Sequence, residues 1–162
     1  MSDHESGTIA WQVGVADEAA SAALATLFAR HLAPPLVLYL QGDLGAGKTL
    51  FTRAYIHALG YTGYVKSPSY GLLETYDLGR QTVLHLDLYR IEDPEELEYL
   101  ALRDLFGENC ALFVEWPDRG RHYLPAPDLV LEFEEKDEAR FIRCWTFSVQ
   151  GQQLAQLVSS DF

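Results

Sequence analysis

The chain has 162 residues, 48% of them hydrophobic, and a formal net charge of −12 from 12 Lys+Arg against 24 Asp+Glu. That length matches about one domain and can bury a core without metal or disulfide staples, while ordinary apolar content excludes global disorder. Only Lys48, Lys66 and Lys136 are lysines, and such scarce positive charge excludes a phosphate-hugging nucleic-acid surface and a polybasic membrane anchor.

The first seven residues are polar and expected to be loose. No Lys or Arg precedes Arg30, so neither a charged signal-peptide start nor an Arg-rich transit peptide is expected. Thr8–Val13 reads as a strand. Asp17 then has the character of an N-cap, opening a helix to about Leu32 whose apolar positions Ala20, Leu24, Leu27 and Phe28 recur at helical spacing. Pro34-Pro35 ends it. Leu36–Gln41 is nearly all apolar, as expected of a strand covered on both faces, and far short of the ~20 residues that span a bilayer.

A glycine-rich turn and a second helix follow, about Lys48–Leu59, with Gly60 as C-cap. Gly63–Tyr70 is irregular, and Leu72–Tyr76 and Thr82–Leu88 are strand-like. Asp93 is placed to cap a third helix, with Pro94 at its first position and Glu96 closing a capping box. Ala111–Glu115 is another apolar run, stopped by Trp116-Pro117, and Leu129–Phe133 with Phe141–Val149 suggests a closing hairpin. The alternation predicts an α/β fold of one domain over 1–162, with a mainly parallel central sheet flanked by helices and antiparallel strands at its margin. Cys110 and Cys144 lie far apart without a CxxC context, as expected of core residues in a reduced, cytoplasmic protein.

Gly42-Asp43-Leu44-Gly45-Ala46-Gly47-Lys48-Thr49 matches G-x-x-x-x-G-K-[ST] between a buried strand and a helix. Glycines let the backbone wrap a polyphosphate, so that N–H groups and a helix N-terminus face the anion. Asp43, Leu44, Gly45, Ala46, Gly47, Lys48, Thr49 and Leu50 are therefore the candidate nucleotide-binding segment. Lys48 is placed to reach the terminal phosphates and the Thr49 hydroxyl to ligate Mg²⁺. Such a site also needs acids. Asp87 ends Val83-Leu84-His85-Leu86 and Glu115 ends Ala111–Val114. An acid closing a buried strand is costly unless paired or metal-bound, so both are functional candidates; capping a helix or pairing with Arg90 is the plainer alternative.

GDLGAGKT, Lys66-Ser67-Pro68-Ser69-Tyr70, His85-Leu86-Asp87-Leu88-Tyr89-Arg90 and Val114-Glu115-Trp116-Pro117, in this order, together resemble the bacterial TsaE (YjeE) family. The resemblance runs from about Asp17 to Phe133 and implies a P-loop NTPase fold. It also implies a weak, Mg²⁺-dependent ATPase needed to make N6-threonylcarbamoyladenosine in tRNA. Such a protein works with TsaB and TsaD, TsaD transfers the threonylcarbamoyl group to adenosine 37, and ATP hydrolysis resets their complex. Carried onto this chain, Lys48 and Thr49 bind phosphate and Mg²⁺, and Glu115 supplies the metal's acidic side. Asp87 serves hydrolysis by positioning water or the metal shell. Ser67–Tyr70 becomes a switch-like segment near the γ-phosphate, with Ser69 as a nucleotide contact. Ser69 stands where the family usually has threonine, which keeps the hydroxyl and loses the methyl that limits its rotamers.

Trp116 can stack on a ligand or simply pack. His85, one pleat from Asp87, reads as a structural residue. Arg119 and Arg121 lie in a Gly-containing loop, where solvated arginines are commoner than arginine fingers. Five acids among Glu92–Glu98 are a candidate docking face for a basic partner, and five among Glu132–Glu138 read as a solvated face. Two other functional classes fit a P-loop: a small-molecule kinase, for which little chain is left to build a lid and acceptor pocket, and a nucleotide-gated binding module without turnover.

Overall fold

A computed structural model describes residues 7–68, 72–100 and 102–162. Seven strands form one mixed sheet: β1 (Thr8–Gly14), β2 (Leu36–Gly42), β3 (Leu73–Asp77), β4 (Thr82–Asp87), β5 (Cys110–Glu115), β6 (Leu129–Lys136) and β7 (Ala139–Thr146), in the spatial order β1-β7-β6-β2-β5-β4-β3. The centre is parallel, with β2 between β5 and β6 and β4 beside β5. The β1–β7, β6–β7 and β3–β4 pairs are antiparallel. This is the expected α/β architecture.

Strand β2 explains the layering. Leu36, Leu38 and Leu40 face one core, shared with helices α1 (Glu18–His31) and α2 (Lys48–Ala58). Val37 and Tyr39 point into a second core on the opposite face. All five residues are buried, so period-2 alternation delivers apolar side chains to both sides, as a covered parallel strand requires. Asp17 caps α1 by accepting the Ala20 N–H at 2.8 Å. Phe28 of α1 meets Phe51 of α2 edge to face, with ring centroids 5.4 Å apart. Tyr55 of α2 lies 4.7 Å from Phe113 of β5, which docks α2 along the end of that strand.

Two segments differ from the sequence expectation. In place of one helix from Asp93, the chain makes a turn and then two single helical turns, α3 (Glu96–Tyr99) and α4 (Leu102–Leu105). The Asp93 carboxylate does cap the turn, accepting the Glu95 N–H at 3.0 Å. Leu97 and Leu102 are the buried anchors, and on a continuous helix they would lie about 140° apart. Breaking the helix turns both towards the sheet.

The last strand does not reach Val149. It ends at Thr146, and Ser148 caps a C-terminal helix, α5 (Val149–Ser159), that the sequence pattern left unassigned. Ser148 Oγ accepts the Gly151 N–H and donates to Asp128. Leu154, Ala155 and Val158 then bury against the α1 side of the sheet. The β6–β7 hairpin was expected, and its turn residues Asp137 and Glu138 both have positive φ, at 52° and 67°. That is the geometry of a two-residue turn matched to strand twist. Cys110 and Cys144 are buried and unbridged, on β5 and β7 as expected. Among the described residues, no helix is long and apolar enough to cross a membrane.

Candidate functional site

The site forms where β2, β4 and β5 end side by side, at the carboxyl edge where open α/β sheets gather ligands. Beyond β2 the chain turns sharply into α2. Gly42, at φ 148°, admits nothing larger than hydrogen, because a Cβ would stand 2.7 Å from the Phe133 carbonyl oxygen. Gly47 takes the N-cap of α2 in the left-handed region, φ 105°, with no side chain capping the helix and no acid in its first turn. The first amides of α2 and its positive dipole end are thus left for an anion.

Lys48, the first residue of α2, is only 4% exposed. Its Nζ spans the turn, donating to the carbonyls of Gly42 and of Asp43, the latter at 3.0 Å. It also sits 4.3 Å above the Trp116 ring. Burial pushes the Lys48 pKa below its ordinary value, and the nearby carboxylates of Glu115, Asp87 and Asp43 oppose that shift. The ammonium is therefore held by neutral carbonyl acceptors, which a phosphate could replace with a charge-assisted contact.

Asp87 and Glu115 are register partners at the ends of β4 and β5. Alternation puts both on the α2 face, together with His85 and Phe113, while Leu86 and Val114 enter the opposite core. The Thr49 hydroxyl donates to Glu115, 3.0 Å from either carboxylate oxygen. His85 Nε2 lies 2.6 Å from Glu115 Oε2, a contact that reading His85 as merely structural overlooks. The Asp87 carboxylate accepts the Tyr89 N–H at 2.9 Å, which curls the chain at the strand end.

Lys48, Thr49, Asp87 and Glu115 line a cleft of about 320 Å³ with Leu44, Gly45, Ala46, Gly47, Leu50, Ser67, Tyr89 and Trp116. Glu18, at the start of α1, also reaches it; no local motif marks Glu18, since its approach is set by packing of α1 on α2. The structure thus brings Lys48, Thr49, Asp87 and Glu115 together, with Asp43 contributing its carbonyl. Ser69, expected as a nucleotide contact, lies outside the described residues, as does Tyr70. Lys66 turns to Glu74, 3.6 Å away.

Trp116 both packs and lines the cleft. Held at φ 58° immediately after β5, it meets Tyr89 with ring centroids 5.1 Å apart. The Arg119 guanidinium lies 5.0 Å from the Tyr89 ring and 5.4 Å from the Trp116 ring, and it donates to the Tyr89 carbonyl. Arg121 instead pairs with Asp118 at 2.7 Å.

The donor set suits a hard cation. Thr49, Glu115 and Asp87 offer only oxygen donors to the cleft. Mg²⁺ is ordinarily held in this sparse way, by one or two carboxylates, waters and substrate phosphates.

Comparison with known proteins points to one family. Residues 15–142 match the sequence model of the family described as threonylcarbamoyl adenosine biosynthesis protein TsaE. A Haemophilus influenzae protein named tRNA threonylcarbamoyladenosine biosynthesis protein TsaE is 42% identical over 112 residues, covering 69% of this chain and 71% of that protein. The Bacillus subtilis protein of the same name is 37% identical over 136 residues, 83% of each chain. The crystal structure of Bacillus subtilis YdiB superposes with a TM-score of 0.79 at 28% identity, covering 96% of this chain and 97% of that one. With its strand-to-helix phosphate loop and mixed sheet, this chain belongs to the TsaE family of threonylcarbamoyl adenosine biosynthesis proteins.

Proposed function

We propose that this protein is a cytoplasmic, weak Mg²⁺-dependent ATPase that serves tRNA N6-threonylcarbamoyladenosine synthesis by resetting a TsaB–TsaD transferase between turnovers. The observation that carries the reading is the convergence of Lys48, Thr49, Asp87 and Glu115 on one cleft at the α2 N-terminus. Few other chemistries call for a buried ammonium, a hydroxyl bound to a carboxylate and a second carboxylate around bare helix amides.

The residues divide the work by type. The Gly45–Lys48 backbone and the α2 N-terminus hold the phosphates. Lys48 exchanges its loop carbonyls for phosphate oxygens and balances their charge. Thr49 and Glu115 hold Mg²⁺, which supplies charge neutralisation at the phosphates when bound. Asp87 is the acceptor that orients the attacking water. Trp116 and Tyr89 wall the cleft against bulk solvent, which strengthens the electrostatics inside. The net charge of −12 suits a protein that acts through TsaB and TsaD and leaves RNA binding to another subunit.

Reconstituted threonylcarbamoylation of tRNA with TsaB, TsaD and a threonylcarbamoyl-adenylate supply tests this directly. Added protein should raise the yield beyond a single turnover, and K48A should abolish the gain. A K48A protein that performs like wild type removes the proposal. Phosphate transfer from ATP to a small metabolite rather than to water would replace it with the kinase reading. Full activity of D87A and E115A alongside an inactive K48A would favour a nucleotide-gated binding module.

A further inference from the structure

Buried histidines ordinarily satisfy both ring nitrogens. His85 does not. It is fully buried in β4, and its Nε2 meets Glu115 at 2.6 Å, while Nδ1 has no hydrogen-bond partner among the described residues. A carboxylate oxygen accepts, so the contact is read with Nε2–H donating to Glu115, which leaves Nδ1 as the unsatisfied nitrogen. An unpaired buried polar atom is destabilising, and Val83, two residues earlier on the same face of β4, is fully buried in the apolar core, so this face accepts an aliphatic side chain. Packing alone therefore gives no reason for a histidine here. Its one satisfied nitrogen is aimed at one atom.

That atom belongs to the acid that also receives the Thr49 hydroxyl. The Glu115 carboxylate has a competing attraction close by, because it is one of the charges acting on the Lys48 ammonium. A Glu115 free to rotate could close on Lys48 as an ion pair and occupy the charge needed for phosphate. His85 opposes this from a rigid base: its strand partner is Phe113, two residues before Glu115 and on the same face.

We infer that His85 is a positioning residue, whose Nε2–H holds Glu115 turned towards Thr49 so that hydroxyl and carboxylate present their oxygens together to the divalent cation of a bound nucleotide. The inference rests on the nucleotide reading above. It assigns His85 no contact with substrate and no proton transfer. Partners of this kind, behind a metal's own ligands, are typically worth about 10–100-fold in metal affinity.

Amide substitutions separate orientation from bulk. Glutamine at this position carries its amide nitrogen as many bonds from Cβ as histidine carries Nε2, so H85Q can still donate to Glu115. Asparagine reaches only as far as Nδ1, so H85N cannot. ATP affinity of the full chain is measured by calorimetry with Mg²⁺ and with EDTA. In wild type and H85Q, Mg²⁺ should tighten binding to within about threefold of each other. H85N should lose that tightening by about tenfold or more, with affinity in EDTA unchanged. H85F, which keeps a ring and removes the donor, carries the same expectation should H85N not fold. The inference is overturned if H85N or H85F keeps the full Mg²⁺ effect, if affinity falls equally with and without Mg²⁺, or if none of the three variants folds. A wild-type chain that shows no Mg²⁺-dependent ATP binding sinks the nucleotide reading itself, which a normal wild type with an indifferent H85N does not.

Discussion

Thr49 and Glu115 lie 66 positions apart in the chain, and the threonine hydroxyl stands 3.0 Å from both oxygens of the glutamate. Neither side chain moves freely. Thr49 is fixed by the first turn of α2, which is pinned to β5 through Tyr55 and Phe113. Glu115 ends β5, hydrogen-bonded to β2 on one side and β4 on the other. A site built on paired strands and a docked helix holds its geometry better than one built on loops.

Replacing Thr49 by alanine removes one donor from that pair and leaves the fold nearly intact. His85 still satisfies Glu115, so the stability loss should be near 1 kcal/mol. ATP affinity in Mg²⁺ should fall by about tenfold, with affinity in EDTA little changed. Titration of T49A under both conditions checks this, and equal losses would remove the metal role assigned to the hydroxyl.

Ser148 joins three elements through one hydroxyl. It caps α5 at Gly151, and it donates at 2.7 Å to Asp128, whose other oxygen accepts the Val37 N–H of β2. S148A should therefore cost more than an isolated cap, about 1–2 kcal/mol, read as a lower urea midpoint. ATP binding should not change, because α5 packs on α1, β1 and β7 and contributes no residue to the lining of the cleft. A loss below a few tenths of a kcal/mol would mean that Asp128 alone secures this corner.

Cys144 should be silent in the native protein. Burial pushes its thiol pKa well above the ordinary range, and the thiolate is the reactive form. Cys110 is also buried, with its Sγ 3.2 Å from the Leu105 carbonyl. Iodoacetamide at mildly alkaline pH should label neither until denaturant is added, when both of the two cysteines react. Prompt native labelling of Cys144 would show that β7 opens locally.

Legibility in the sequence followed the range of the interactions. The phosphate loop, the strand ahead of it and the acids at Asp87 and Glu115 are local patterns, and each falls where its pattern predicts. Asp17 as N-cap is equally local, needing only a carboxylate three residues before an amide. The two breaks were not local. Leu97 and Leu102 belong to separate turns because the sheet asks both to face it, and α5 is amphipathic only relative to a core formed by α1 and β7. The His85 contact with Glu115 spans 30 positions. Alternation placed His85 beside Asp87, but only the parallel pairing of β4 with β5 shows which acid it meets.

Lys48 couples stability to function through its burial. Its pKa is lowered in the folded protein, chiefly by desolvation, so the folded state binds this proton less tightly than the unfolded chain does. The resulting destabilisation is present below the folded pKa and is relieved as pH rises from there towards the ordinary value of 10.5. Buried tyrosines act oppositely in the same range, since burial raises the pKa values of Tyr39 and Tyr55. The comparison must therefore be between wild type and K48M, which keeps the stem and removes the ammonium. The stability difference between the two should shift in favour of wild type as pH is raised from neutral to alkaline, measured by urea unfolding. K48M should also lose at least about tenfold in ATP affinity at neutral pH, since phosphate there meets only helix amides and Thr49. A difference in unfolding free energy that stays flat with pH would show that the ammonium is as well solvated in the fold as outside it. The carbonyls of Gly42 and Asp43 would then be resting contacts rather than the constraint that leaves Lys48 ready to exchange them for phosphate.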